Sequence, residues 1–251
     1  MIKIFLYECK RLIFNKFFFG ILFMLLFYGW QVLSSATILG VSHTAPFSAW
    51  SFGDYLSWML PLLWIGVSFF LTFFTSAKAC RTAVLTDATQ TSPRRYALAR
   101  CSAALSGTVL LALACLVEAA VFYGRYFGWY AWGELLVPVI VTLLPALVFA
   151  LGSGWLLGRT RPWLIYVWMV VPFVCMVLPL PEALGLWNGS FFTEYPLTSE
   201  TLDPVFSIPI PMIVQQCILL LSGISMIGYH TGGRKRTAIL PNPQKRHFYR
   251  D

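Results

Sequence analysis

The sequence predicts an all-α polytopic membrane protein with six transmembrane helices, an amphipathic N-terminal interfacial helix and both termini in the cytoplasm. Composition, six long apolar runs and a one-sided distribution of positive charge predict it. Of the 251 residues, 58% are hydrophobic and 11% are charged, whereas soluble domains are roughly 45–50% apolar. The net charge of +8 does not point to nucleic acid. The cations stand at the ends of apolar runs instead of covering one soluble face.

The first unit is residues 1–16. Ile2, Phe5, Leu6, Cys9, Leu12 and Ile13 recur at three- and four-residue spacing, with Lys3, Tyr7, Lys10 and Arg11 on much of the remaining surface. This pattern suits a helix lying on the inner leaflet, apolar side down, with its basic residues meeting anionic lipid. The segment lacks the short apolar core and small-residue cleavage site of a secretory signal, so it is expected to be retained.

The transmembrane domain is residues 17–229. A helix rises about 1.5 Å per residue, so crossing about 30 Å of hydrocarbon needs roughly 20 apolar residues. The six candidate stretches are Phe17 to Thr37, Leu56 to Ser76, Ala97 to Tyr123, Leu135 to Leu157, Trp163 to Leu180 and Met212 to Tyr229. They are continuously apolar, not alternating, which selects helices over a barrel. Pro172 is expected to kink the fifth, because it removes a backbone donor.

Orientation follows from the loops. Threading these six spans puts seventeen of the eighteen Lys and Arg residues on the side of the termini and leaves Arg125 alone on the other. The positive-inside rule makes the terminal side cytoplasmic. Asp54, Glu134, Glu182, Glu194, Glu200 and Asp203 then lie outside. Trp50, Tyr55, Trp58, Tyr126, Trp129, Tyr130 and Trp132 mark the outer interface, and Trp155, Trp163 and Tyr229 the inner one. The six cysteines fall in spans or cytoplasmic segments and none in an external loop, so no disulfide framework is expected, and they are too scattered for a zinc site.

The cytoplasmic loop 77–96 is polar and basic. Ser92 is a good N-cap and Pro93 suits a first helical position, so a helix is expected to restart there and run into the third span. Ala99, Ala103 and Gly107, flanked by Ser102 and Ser106, would let another helix approach closely.

An N-terminal amphipathic helix, six spans with both ends inside and a loop reading LTDATQTSPRRYALAR together resemble the membrane subunit of an ABC transporter of the second exporter type. In that family a Thr-Pro or Ser-Pro step followed by basic residues leads into the third span, just after a short coupling helix that docks on a separate ATPase subunit. The resemblance places the coupling helix at Arg81 to Thr89, with Arg81, Leu85, Thr86, Asp87, Arg94 and Arg95 as the docking residues. The short turn Gly158 to Pro162, with Arg159 and Arg161, is a second contact with the ATPase or a site for lipid headgroups. The resemblance implies a second permease copy or paralogue, membrane lipids around the chain, and ATP and magnesium in the partner ATPase. It implies an ATP-driven exporter in a bacterial inner membrane. The mild polarity of the span residues suits an amphiphilic or hydrophobic solute better than a bare ion, although helix–helix hydrogen bonds account for the same residues.

The chain itself carries no nucleotide site. A Walker A loop needs Lys and Ser/Thr directly after its second glycine. The nearest stretch, Gly228 to Lys235, puts Arg234 and Lys235 there and follows a span, not a strand. No cofactor is expected in this chain. Residues 230–251 read as a basic cytoplasmic tail.

A non-transporting membrane scaffold or sensor shares this architecture and is the alternative; an intramembrane enzyme is the other. The enzyme lacks its parts. His43, His230 and His247 lie outside the spans, Ser153 has no intramembrane base, and no two acids meet within a span. Glu118 is the ionisable residue well inside a span, where a charge costs about 2.5–3.5 kcal/mol on insertion scales. Arg125, seven residues on along the same face, is its expected partner; contact with solute is the functional alternative. The remaining polar span residues, such as Gln31, Thr142, Gln215 and Gln216, make no charged ion pathway. The external loop 181–211, with its prolines and acids, cannot be a seventh span. The family resemblance implies that it dips back as short helices.

Overall fold

The computed structural model describes residues 2–42, 44–76, 93–178, 181, 184–198 and 203–232. Every regular element among them is helical: α1 (Ile2–Ile13), α2 (Lys16–Ser35), α3 (Ala49–Thr75), α4 (Pro93–Phe127), α5 (Leu136–Thr160), α6 (Leu164–Val177), α7 (Gly185–Asn188), α8 (Ser190–Glu194) and α9 (Ile210–Gly232), with short 3-10 turns at Thr37–Leu39, Trp132–Leu135 and Tyr195–Thr198. Local chemistry sets the boundaries. The Asn15 side chain accepts from the Phe17 N–H at 3.3 Å and caps α2; Ser48 accepts from the Ser51 N–H at 3.2 Å and caps α3. Helix α4 begins at Pro93, where a missing N–H costs nothing.

Among the described residues, five stretches are long and apolar enough to cross a membrane: Lys16–Leu39, Ala49–Thr75, Arg95–Phe127, Trp132–Thr160 and Ile210–Gly228. The fifth apolar run of the sequence is shorter. It folds as the 14-residue α6, about 21 Å long, and ends where Leu178 turns extended.

Helix α3 is the hub, buried on nearly every side and packed against α2, α4, α5 and α6. Lipid tails are as apolar as leucine, so helix association in a bilayer depends on close packing and polar contacts more than on hydrophobic burial. Two seams show the means. Gly107 of α4 faces the ring of Phe70 at 3.1 Å from where a Cβ would stand, and Ala99 and Ala103 beside it are buried. The stripe of small residues therefore receives α3. Gly152 of α5 meets Gly223 of α9 backbone to backbone, and a Cβ at Gly223 would lie 2.6 Å from the Val148 carbonyl oxygen. No larger residue fits that crossing.

The segment after α6 folds back into the bundle as α7 and α8, with Leu186, Trp187, Phe191 and Phe192 buried. Trp187 packs on Trp64, near the middle of α3, with ring centroids 5.3 Å apart. Trp168 of α6 and Phe149 of α5 complete this aromatic junction. Nearby, Trp50 donates its indole N–H to the Pro204 carbonyl at 2.8 Å and packs against Phe191, Tyr195 and Phe206.

These contacts correct part of the expected aromatic belt. Trp50, Tyr55 and Trp155 are core residues, 1%, 0% and 3% exposed, whereas Trp58, Tyr126, Tyr130, Trp132 and Trp163 are open to the surroundings. A Trp or Tyr near a span end satisfies the same sequence pattern whether it faces headgroups or a folded-back segment.

Candidate functional site at the basic end of the helices

At 35 residues α4 is the longest helix described, on the order of 52 Å, and its first turns overshoot what a bilayer needs. Helix α1 packs along that overshoot. The buried side of α1 is not the purely apolar stripe that the spacing suggested. It centres on Glu8 and Leu12, 2% and 1% exposed, while Ile2 and Leu6 point outward.

Glu8 is held by α4. Tyr96 donates its hydroxyl to Glu8 Oε1 at 3.1 Å, Arg100 Nε approaches the same oxygen at 3.5 Å, and Arg100 Nη2 donates to the Tyr96 hydroxyl at 2.9 Å. Tyr96 thus accepts from the cation and donates to the anion. The Arg100 guanidinium lies 4.2 Å from the Tyr96 ring centroid and 5.4 Å from that of Phe74, at the end of α3. Arg11, one turn along α1, stands 3.6 Å from Glu8 Oε2. A carboxylate sunk this deep needs such company, because an unpaired buried charge is strongly destabilising. The joint fixes α1, α3 and α4 to one another where segment 77–92 enters α4.

Beside Glu8, Cys9 is partly buried, with Ser106 of α4 close enough to act on its thiol. Burial pushes its thiol pKa up, the Ser106 hydrogen bond pulls it back, and the Glu8 charge adds to the rise.

Only some of the residues expected to dock an ATPase are among the described residues. Arg81, Leu85, Thr86 and Asp87 lie outside the described residues. Arg94 and Arg95 belong to the first turn of α4, and Arg95 is exposed. Arg159 and Arg161 are exposed at the same end of the bundle: a Cβ at Gly158 would meet Thr75, next to the Phe74 that Arg100 covers. Arg159 rests 5.6 Å from the Trp155 ring centroid.

The second site of interest is the intramembrane acid. Glu118 does not pair with Arg125. Among the described residues the ion pairs are Arg11–Glu8 and Arg100–Glu8. Seven residues separate Glu118 from Arg125 by about 10.5 Å of helix, and both side chains lean the same way, so the gap stays open. Glu118 instead turns into the seam with α2 and α3. Its Oε2 is buried without a hydrogen-bond partner and occupies the space left by Gly29, 2.5 Å from where a Cβ would be, with the Tyr55 hydroxyl 3.1 Å from that same point. Tyr55 donates to the Cys115 carbonyl at 3.3 Å.

Sequence reasoning missed Glu8. Its signal was present: an acid set in the otherwise apolar stripe of a basic amphipathic helix, four residues before Leu12. Comparison of the chain with known protein families, with curated proteins and with solved structures finds no match.

Proposed function

We propose that this chain is the membrane-spanning subunit of an ATP-driven exporter of the ABC type, moving an amphiphilic or hydrophobic solute with energy from a separate ATPase subunit. The observation that carries the reading is the Glu8–Tyr96–Arg100 joint. An exporter of this kind must pass a push from a docked partner into a span, and that needs a rigid element at the docking end. Here the polar segment 77–92, proposed to carry the coupling helix, continues directly into α4, and the first turns of α4 are locked to α1 and α3. A force applied at Arg81 to Arg95 would move the three helices together.

In this reading Arg81, Leu85, Thr86, Asp87, Arg94 and Arg95 meet the ATPase, with Arg159 and Arg161 as a second contact. Two permease copies, or this chain and a paralogue, pair to form the route. ATP and magnesium act in the partner and shift the spans between inward- and outward-facing populations. The solute class follows from the polarity of the bundle: away from the Glu8–Tyr96–Arg100 joint and Glu118, the buried polar groups of the spans among the described residues are hydroxyls, amides, indole N–H groups and the Asp54 carboxyl near one end. That lining suits a largely apolar solute better than a bare ion.

The test is affinity purification of the full chain from its native membrane. A stoichiometric copurifying ATPase, lost when Arg94 and Arg95 are both changed to Glu, supports the proposal. A chain that purifies alone from native membranes argues for a scaffold or sensor.

A further inference from the structure

We infer that the elbow between α1 and α2 is a binding site for the phosphate headgroup of an anionic lipid taken from the leaflet at the basic end. The elbow forms an open surface groove of about 610 Å³ lined by Tyr7, Lys10, Arg11, Phe14, Asn15 and Lys16. Helical spacing sets Tyr7, Lys10, Arg11 and Phe14 along one strip of α1, beside the Glu8–Leu12 face that α4 covers.

Charge selects the ligand. Three cations line the groove, and Glu8 approaches only Arg11 among them. Lys10 and Lys16 have no ion-pair partner among the described residues. The amino end of the 20-residue α2 opens at the same place and adds positive field. The cations suit a phosphate, and the apolar surroundings assign it to a lipid. Phe14 and Tyr7 are 74% and 68% exposed, and the outward strip continues down α2 through Phe19, Phe23 and Phe27. A headgroup seated between Lys10 and Lys16 would have its acyl chains lying along that strip. A free phosphate ion would leave the strip unused.

The inference is independent of the proposed transport function and is tested without an ATPase. The full-length protein is reconstituted in phosphatidylcholine nanodiscs containing a photoreactive phosphatidylglycerol, and the labelled peptides are mapped. Labelling concentrated on residues 7–16, and reduced at least about tenfold in Lys10→Gln/Lys16→Gln, is the expected result. Lys16→Glu, a single exposed change, must act in the same direction. Labelling spread evenly over all basic helix ends, or unchanged in these variants, overturns the site. Displacement by inorganic phosphate as effective as displacement by short-chain phosphatidylglycerol overturns the lipid assignment.

Discussion

Arg100 of α4 and Glu8 of α1, 92 residues apart in the chain, meet in the protein interior with Tyr96 bonded to both. Side chains 10% and 2% exposed make this a buried ion pair, so its value lies in specifying position more than in stabilising the fold. The charges lose hydration on burial, and their attraction returns that loss only while the geometry holds. A pair of this kind tolerates one arrangement of α1 against α4.

Removing one partner should therefore cost more than removing both. Arg100→Met leaves Glu8 buried with Arg11 as its one nearby cation and should destabilise the protein by about 3–5 kcal/mol. The double variant Glu8→Leu/Arg100→Met should recover most of that loss. Thermal unfolding of the four proteins of the cycle in one detergent measures it, and additive losses would contradict the coupling.

Cys9 reports on the same joint through pH. Burial raises its thiol pKa above the ordinary value, with Glu8 adding to the rise and Ser106 opposing it, so less thiolate is present at a given pH than on a free cysteine. In a variant with the other five cysteines replaced, maleimide labelling of Cys9 should rise with pH along a curve displaced upward from that of a small thiol. Glu8→Gln removes the like charge and should shift the curve down. A curve at or below the small-thiol reference would show that Cys9 is not held in this joint.

The long apolar helices were legible because their signal is local and long. The start of α4 at Pro93 and the small-residue seam at Ala99, Ala103 and Gly107 also depend on residues near one another in sequence. The joint was not legible, since whether Glu8 faces lipid headgroups, water or Arg100 depends on where α4 stands. The same limit explains the failure of the Glu118–Arg125 pairing. The spacing along one helix was read correctly, but the opening left by Gly29 on another helix decides where the carboxyl turns. Trp50 and Tyr55 fit an interface by sequence for the same reason: what covers them is distant in the chain, the returning segment with Phe191 for Trp50 and α2 and α4, at Gly29 and Cys115, for Tyr55.

The α5–α9 seam predicts a sharp size limit. Gly223→Ala brings a methyl against the Val148 carbonyl and the Phe149 backbone, atoms that cannot rotate away. Separating the helices should cost about 1–3 kcal/mol, and Gly223→Leu more. Gly20→Ala, where nothing lies within 4 Å, should be close to neutral. Comparable losses at both positions would refute the close crossing.

Gly29 and Glu118 make the most specific prediction, because the space at one is filled by the other. A Cβ at residue 29 would stand 2.5 Å from Glu118 Oε2 and 3.1 Å from the Tyr55 hydroxyl. The carboxyl would have to leave the space it fills, and moving it from the seam into lipid is costly. Gly29→Ala should therefore destabilise the wild-type protein by about 1–3 kcal/mol and do much less in a Glu118→Ala background, where the cavity is open. Glu118→Gln alone should leave stability unchanged or raise it, since no ion pair is lost and a carboxyl oxygen buried without a hydrogen-bond partner gives way to a neutral amide. Unfolding midpoints in one detergent decide these points. If Gly29→Ala is equally costly with and without Glu118, the carboxyl does not occupy this space. If Glu118→Gln folds normally yet abolishes solute movement in vesicles, the acid is a solute contact and its place in the seam is the resting state of a transport site.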